Sequence, residues 1–273
     1  MPHATRLLPA WDSRSRGEAA LSSWYPHWDV YLLKLLRRGG EREGILAWLR
    51  SMERVLEKLG YAPEFIALEG LESNEADSWR HGAVSNLNCA TGWYRAIVEG
   101  LFGIEFDTGG MSVVPLDLEL PRMSLRHIVH RGSRWEITVE NRGGGAAEIR
   151  IDGTPLRGCT KIPAGYHDRG AHRLEITYGA REAPPCFTEL VNAEVLGAEG
   201  DDAHADVHIR GLGTVDIAFP AEPVLEVQVD GREAPFRSAA GTGYMQLPLA
   251  GEHTLSLRRG INSSTKFHTK GMP

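Results

Sequence analysis

The spacing of hydrophobic residues changes near residue 108 of this chain. Upstream, apolar residues recur every three or four positions, which is typical of helices. Residues 26–40 predict a helix whose apolar side chains point in almost every direction, so we expect it to be enclosed. Residues 41–59 predict a second helix with a one-sided apolar stripe, ended by Gly60. Because only two glycines separate these helices, they predict an antiparallel helical hairpin.

Downstream, apolar and polar residues alternate. Residues 134–140, "RWEITVE", place Trp, Ile and Val on one face and Glu, Thr and Glu on the other. Similar patterns predict strands at 147–151, 173–178, 206–210, 214–219, 224–229, 243–249 and 253–258. The short turns between them favour an antiparallel β-sandwich. The pattern therefore predicts an α+β protein with a helical segment (1–107) followed by a β-sandwich domain (108–273).

The strand region contains an internal echo. "EIRIDGTPL" (148–156) is similar to "EVQVDGREA" (226–234), and a Gly-x-His-x-Leu strand follows each, at 170–179 and 251–260. Both Asp-Gly pairs predict hairpin turns with positive φ. The echo fits either a repeated unit or the common reuse of hairpin chemistry in a sandwich, and it assigns no activity.

Composition narrows the function classes. The 273 residues are 42% hydrophobic and 24% charged, as in ordinary globular proteins, and the net charge of −6 argues against nucleic acid as the main partner. Cys89, Cys159 and Cys186 are too far apart for a C-x-x-C metal site and predict structural thiols. With no apolar run of signal-peptide or bilayer-spanning length, we expect a cytoplasmic protein with no membrane partner. We also expect no metal and no cofactor, because the histidines are scattered and no nucleotide-binding motif occurs.

Five stretches, taken in order, carry a resemblance. They are "YPHWDVYLLKLLRRGG", "YAPEF", "WRHGAVSNLNCATGWYRAIVEGLFGI", "DTGGMSVVP" and "IRIDGTPLRG". Together they resemble the C-terminal part of six-hairpin, (α/α)6-toroid carbohydrate enzymes, the group of cellobiose-phosphorylase-like enzymes and related glycosidases. The resemblance implies that the helical hairpins belong to a partial toroid. The rest of the ring would then come from an upstream helical segment or from another copy in a homo-oligomer.

The resemblance also implies a function. The chain would be the C-terminal segment of an enzyme that cleaves glycosidic bonds, either a glycoside hydrolase or a phosphorylase. It would be incomplete on its own, because the family's general acid lies in the part not present here. Its partners would be an oligosaccharide or glycoside and, for a phosphorylase, inorganic phosphate.

Glu64 is the catalytic candidate that the resemblance implies, at the position where some toroid hydrolases place the base. Inverting hydrolysis needs an acid and a base about 6.5–9.5 Å apart. The alternative is a solvated loop glutamate. Asp29 is expected to bind sugar hydroxyls, or else to be a first-turn carboxylate favoured by the helix dipole. His27 and Trp28 would line the cleft, or else serve as cap and core.

Residues 81–104 predict a further helix, which would be an inner helix of the toroid. Gly92 and Gly100 are unfavourable in a helix, so we expect them to allow close packing. The polar N-terminal end would then face the cleft and bind substrate through Trp79, Arg80, His81, Asn88 and Thr91. The first of these would stack on sugar, and the Arg-His pair would hold phosphate in a phosphorylase. The alternative is a capped helix end with that pair in solvent.

Two other functions remain open. The chain is either a non-catalytic sugar-binding or assembly module, which would bind glycan without turnover, or a gene remnant without retained function.

Overall fold

The computed structural model describes residues 23–24, 26–61, 66–67, 87–180, 186–221, 224–239 and 241–259. The chain forms two compact units. The first consists of Met1–Glu105 and Val114–Leu118, and the second of Phe106–Val113 and Glu119–Pro273.

The first unit is helical and the second is made of strands. The α-helices are α1 (Asp29–Arg38), α2 (Arg42–Leu59) and α3 (Leu87–Arg95), with a 3-10 turn at Pro26–Trp28 before α1 and a π-helix at Ala96–Leu101 after α3. The strands are β1 (Ser23–Trp24), β2 (Ile66–Ala67), β3 (Ile104–Asp107), β4 (Gly110–Val113), β5 (Arg122–His130), β6 (Ser133–Asn141), β7 (Ala146–Ile151), β8 (Thr154–Pro155), β9 (Gly158–Cys159), β10 (Ala171–Ala180), β11 (Cys186–Phe187), β12 (Glu189–Gly200), β13 (His204–Pro220), β14 (Val224–Val229), β15 (Arg232–Glu233), β16 (Arg237–Ala239) and β17 (Thr242–Arg259). A second 3-10 turn lies at Ala164–Tyr166.

The helical hairpin predicted for residues 26–59 is confirmed. α1 and α2 pack together across a two-glycine turn, and Gly60 ends α2 in the left-handed conformation, with φ 76°. The stripe predicted on α2 is buried through Ile45, Trp48, Met52 and Val55.

The expected enclosure of α1 is wrong. Val30 and Leu33 are buried, but Tyr31 is 55% exposed and Leu35 is 71% exposed. α1 is therefore fully buried on one side only, with Leu32 and Leu36 partly buried and Tyr31 and Leu35 on the surface.

Charged side chains attach α1 to the π-helix. The buried Arg37 guanidinium donates to the carbonyl oxygens of Gly100 at 3.2 Å and Leu101 at 3.1 Å, where the helix ends and its carbonyls lack helical partners. Glu99 is also buried and accepts from Lys34 Nζ at 3.0 Å and from Arg95 Nε at 2.6 Å. A buried charge is tolerated when it is paired in this way.

The close packing expected at the two helix glycines is confirmed. A Cβ on Gly92 would lie 2.7 Å from His27 Cα, and a Cβ on Gly100 would lie 2.4 Å from Leu33 Cβ. Both distances are far below van der Waals contact, so any larger residue would push α3 or the π-helix away from its neighbour.

The first sheet has the strand order β5-β6-β10-β7-β8. β10 enters between β6 and β7, which follow each other in sequence and run in opposite directions. It must therefore be antiparallel to one and parallel to the other, and it is parallel to β6. The turn Arg142–Gly145 spans the gap of two strand spacings, about 10 Å. The Asn141 side chain supports this turn by accepting from the backbone of Gly143 and Gly144.

The second sheet has the order β12-β13-β17-β14-β15, with β16 also pairing with β17. All its described pairings are antiparallel. β17 is its central strand and pairs with β13 at every residue from His204 to Pro220. One face of the sheet packs into a buried apolar core with the short strands β9 and β11.

The predicted fold class is therefore wrong. Among the described residues, α3 is the only α-helix that follows the hairpin, and seventeen strands dominate, so this part of the chain is not a partial (α/α)6 toroid. The second part is not an all-antiparallel sandwich, because the first sheet is mixed. Alternating hydrophobicity located β6, β7, β10 and β14, but it divided β13 and β17 into two strands each and did not predict β5 or β12. It also carries no information on which strands pair.

The internal echo corresponds to a repeated three-strand unit. In the first sheet, Asp152 accepts from the His172 ring at 2.8 Å and from the backbone of Arg173 at 2.8 Å. In the second sheet, Asp230 makes the same two contacts with His253 and Thr254, at 2.8 and 2.9 Å. Both aspartates have φ 51° and precede a glycine with positive φ, as predicted for these hairpins. The repeated contact between the turn and the central strand is called the Asp-His clip below.

We expect Gly100→Ala to destabilise the helical unit by about 1–3 kcal/mol, because the new methyl group overlaps Leu33 Cβ. Urea unfolding followed by tryptophan fluorescence suits this test, since six of the seven tryptophans lie in residues 1–93. Gly44→Ala is the matched control. Its Cβ would meet only the flexible end of Leu36 at 3.1 Å, so we expect no loss. Equal losses in both variants would contradict the packing argument.

We expect Asp152→Asn to lower the pKa of His172. Burial lowers this pKa, but the hydrogen bonds to Asp152 and Asp168 outweigh burial and raise it above 6.5. The stabilisation from protonated His172 is therefore complete below pH 6.5 and is lost as pH rises through the raised pKa. NMR titration of the imidazole protons measures the change. His253 serves as the internal control, because Asp230 still raises its pKa in the same variant. An unchanged His172 pKa would refute the clip.

Candidate ligand-binding face

A row of side chains crosses four strands on the outer face of the second sheet. Glu189 on β12 pairs with Ala218 on β13, which pairs with Tyr244 on β17, which in turn pairs with Arg237 on β16. Directly paired residues point to the same face of a sheet. The row therefore places the carboxylate of Glu189, the small side chain of Ala218, the phenol ring of Tyr244 and the guanidinium of Arg237 side by side.

A second polar row lies two residues along the strands, about 7 Å away. Asp216 pairs with Gln246, and the Gln246 Nε2 amide donates to Asp216 Oδ1 at 2.6 Å. This hydrogen bond fixes the orientation of both groups.

The two rows line a concavity of about 610 Å³. Ala218 and the buried backbone around it form the floor, and the Tyr244 side chain, 47% exposed, stands at its wall. Binding sites for small molecules commonly measure about 300–1,000 Å³. Two other concavities in the described part of the chain measure about 240 and 270 Å³ and fall below that range.

Aromatic rings on the inner face support this part of the sheet. Phe219 follows Ala218 and lies between Phe187 and Phe236, with ring centroids 6.2 and 5.0 Å away. Its ring covers Gly243, where a Cβ would lie 2.3 Å from Phe219 Cε2. Glycine at position 243 thus lets the ring lie flat under β17, directly beside Tyr244.

The structure places three of the sequence-predicted site residues together at the start of α1. His27 is partly buried, and the Trp28 ring lies between the His27 and Tyr31 rings, at 5.0 and 5.7 Å. Asp29 is 4% exposed, and its Oδ2 accepts from the indole N–H of Trp48 at 2.7 Å and of Trp93 at 3.1 Å. These contacts explain the burial of Asp29 without a ligand, and a role in sugar binding stays a prediction.

Of the remaining predicted site residues, two lie on α3 and four lie outside the described residues. Asn88 and Thr91 are exposed on α3, and Thr91 Oγ1 donates to the Leu87 carbonyl within the helix at 2.8 Å. The other four lie outside the described residues, namely Glu64, Trp79, Arg80 and His81.

The sequence did contain a signal for the sheet face, which was missed. In "GYMQLPL" (243–249), Tyr244 and Gln246 alternate with the inward-facing Met245 and Leu247. A large aromatic and an amide on the outer face of a strand mark a surface that can contact a ligand. The tryptophans of residues 1–93 are the more conspicuous aromatic cluster in the sequence, and they drew the prediction to the helical unit.

Metal and thiol chemistry receive no support in the described part of the chain. It contains no group of three or more His, Cys, Asp or Glu residues able to hold a metal ion. Cys89 and Cys159 are buried thiols, and burial raises the pKa of the Cys159 thiol to about 12.

None of the described helices has the length and apolar character needed to cross a bilayer.

No protein-family model matches this chain, and neither does any curated protein. The resemblance to six-hairpin enzymes thus depends only on the sequence stretches quoted above. The glycosidase interpretation assumed a toroid cleft and loses that basis, because the described helices do not form a toroid.

We expect Asp29→Ala to destabilise the helical unit by about 1–3 kcal/mol, because two buried indole N–H donors lose their acceptor. Asp29→Asn keeps one acceptor oxygen and should lose less. Urea unfolding monitored by tryptophan fluorescence measures the loss, because six of the seven tryptophans, including these two, lie in residues 1–93. Full stability in the alanine variant would mean that the carboxylate does not hold Trp48 and Trp93 together.

Proposed function

We propose that this chain binds an oligosaccharide in the concavity on the outer face of its second sheet. The observation that supports the proposal is the exposed Tyr244 ring at the wall of a 610 Å³ concavity that also presents a guanidinium, an amide and carboxylates. Of the functions left open by the sequence, this is the non-catalytic sugar-binding module, with the site placed on the strand domain.

The chemistry of this face suits a sugar ring. An aromatic side chain offers a flat apolar surface with a negative π-face, which attracts the polarised C–H groups of a pyranose. Guanidinium, amide and carboxylate groups are planar and can each make two parallel hydrogen bonds to neighbouring hydroxyls. Arg237 and Gln246 supply donors, and Asp216 and Glu189 supply acceptors.

The openness of this face favours a chain of sugars over a single small molecule. Its residues come from four neighbouring strands, so contacts are distributed across the sheet rather than converging on one point. The Gln246–Asp216 hydrogen bond prepares two of the polar groups before a ligand arrives, which reduces the entropic cost of binding.

The proposal concerns binding and not cleavage. Cleavage needs an acid and a base held at a defined separation, and Glu64, the base suggested by sequence, lies outside the described residues.

Calorimetric titration with neutral tri- to hexasaccharides of several linkages tests the proposal. We expect at least one series to bind saturably, and Tyr244→Ala to weaken binding tenfold or more, because loss of an aromatic contact costs about 1.5–3 kcal/mol. Tyr94→Ala is the matched control. Tyr94 is similarly exposed, at 54%, but lies on α3 in the helical unit.

Two outcomes would refute the proposal. Either no oligosaccharide binds to the folded chain, or Tyr244→Ala and Tyr94→Ala bind as tightly as the wild type. Chromatography of the same mixtures after prolonged incubation detects cleavage, and shortened products would favour an enzyme over a binding module.

A further inference from the structure

Two histidine rings meet beside the first sheet, away from the proposed sugar face. His130 ends β5, and His167 follows the 3-10 turn Ala164–Tyr166, with their ring centroids 5.1 Å apart. His130 Nε2 and both ring nitrogens of His167 are buried and have no hydrogen-bond partner in the described structure. Unpartnered buried nitrogens are uncommon in native proteins and call for an explanation.

The rings around the pair are apolar or aromatic. Phe106 lies 4.9 Å from the His130 ring, and Trp135 lies 6.3 Å from the His167 ring. Trp135 is fully buried, and its indole N–H likewise has no partner in this part of the structure. These apolar and aromatic neighbours favour the neutral form of both imidazoles.

The charged groups near the pair are mostly cationic or already paired. Burial lowers the pKa of both histidines, and Arg131, which adjoins His130, lowers both further. The carboxylates of Asp107 and Asp168 act in the opposite direction and raise the pKa of His130 and His167, respectively. Both carboxylates are already paired, Asp107 with Lys161 Nζ at 2.7 Å and Asp168 with the His172 ring at 3.0 Å. On β10, His172 adds a further positive influence on His167. Glu194 forms an ion pair with Arg131, with 3.6 Å between the carboxylate and the guanidinium.

The segment 164–170, which carries His167, is attached to the start of β6 by three hydrogen bonds. Ser133 Oγ donates to the Tyr166 carbonyl and accepts from the Arg169 backbone, both at 3.0 Å. The backbone of Arg134 donates to the Gly170 carbonyl at 2.8 Å. A further contact joins the segment to β10, because Asp168 Oδ1 lies 3.0 Å from His172 Nε2.

We propose that the His130–His167 pair makes segment 164–170 an acid-released strap, which opens from the first sheet when the two half-buried rings take up protons. Protonation would place two new charges on rings whose centroids are 5.1 Å apart, between Phe106 and Trp135 and beside Arg131. Opening exposes both rings to water and separates the charges. The strap and the sugar face are on different sheets, so neither proposal depends on the other.

The pH range follows from the sign of the pKa change. Burial, with help from His130 and Arg131, lowers the pKa of His167 to about 4, whereas the ordinary value is 6.5. The open form therefore binds the proton more readily than the closed form. Between pH 6.5 and about 4, each unit fall in pH shifts the equilibrium toward the open form by about tenfold for this group alone.

Hydrogen exchange of peptides covering residues 160–170 tests the strap, at pH 7.5 and pH 4.5 and corrected for the intrinsic pH dependence of exchange. We expect the wild type to lose protection in these peptides at pH 4.5. The double variant His130→Phe/His167→Phe keeps two rings but cannot titrate, so it should stay protected. His208→Phe is the control, because His208 is an exposed histidine on β13 and its loss should leave the acid response unchanged.

Equal protection of the wild-type peptides at both pH values would overturn the proposal, and so would loss of protection in the double variant. NMR titration of the wild-type His167 ring provides a second measurement that needs no variant. An imidazole that titrates near 6.5 while segment 164–170 stays protected would also overturn it.

Discussion

Both sheets of the larger unit depend on a strand that comes late in the sequence and occupies the middle of the sheet. β10 lies between β6 and β7, and β17 lies between β13 and β14. Each earlier pair must leave a gap one strand wide, and the buried face of each sheet is incomplete until the gap is filled. Most of the architecture follows from this constraint, including the parallel pairing in the first sheet.

The Asp-His clip connects the late central strand of each sheet to the turn of the hairpin beside it. In each sheet, the turn before the short edge strand holds an aspartate that binds both a side chain and a backbone N–H of the central strand. The clip thus fixes the central strand in register against the hairpin it completes. A one-residue slip would turn its buried Leu and Ile side chains to solvent, and would also break the two hydrogen bonds to the aspartate.

Helices and turns, which depend on residues close together in the sequence, could be predicted, whereas the pairing of strands distant in the sequence could not. The chemistry of glycine identified Gly60, Gly92, Gly100 and both Asp-Gly turns for correct physical reasons. Hydrophobic spacing located α2, β6, β7, β10 and β14, but it divided β13 and β17 into two strands each and did not show β5 or β12. It could not show that β10 separates β6 from β7, because pairing partners are chosen by contacts between distant segments. The same limit applies to the sheet face, whose first row takes Glu189, Ala218, Arg237 and Tyr244 from four strands. Motif order suggested a toroid, since helices with polar ends look alike in sequence whether or not a ring surrounds them.

The central position of β17 has a consequence for synthesis on the ribosome. This strand pairs with β13, β14 and β16, and it is the last described element of the chain. While it is still inside the exit tunnel, β13 and β14 each present an unpaired inner edge beside exposed apolar side chains. Such edges readily accept a strand from another chain. The nascent protein therefore passes through a state in which a neighbouring copy can occupy the gap, and a strand exchange between copies would complete the same sheet.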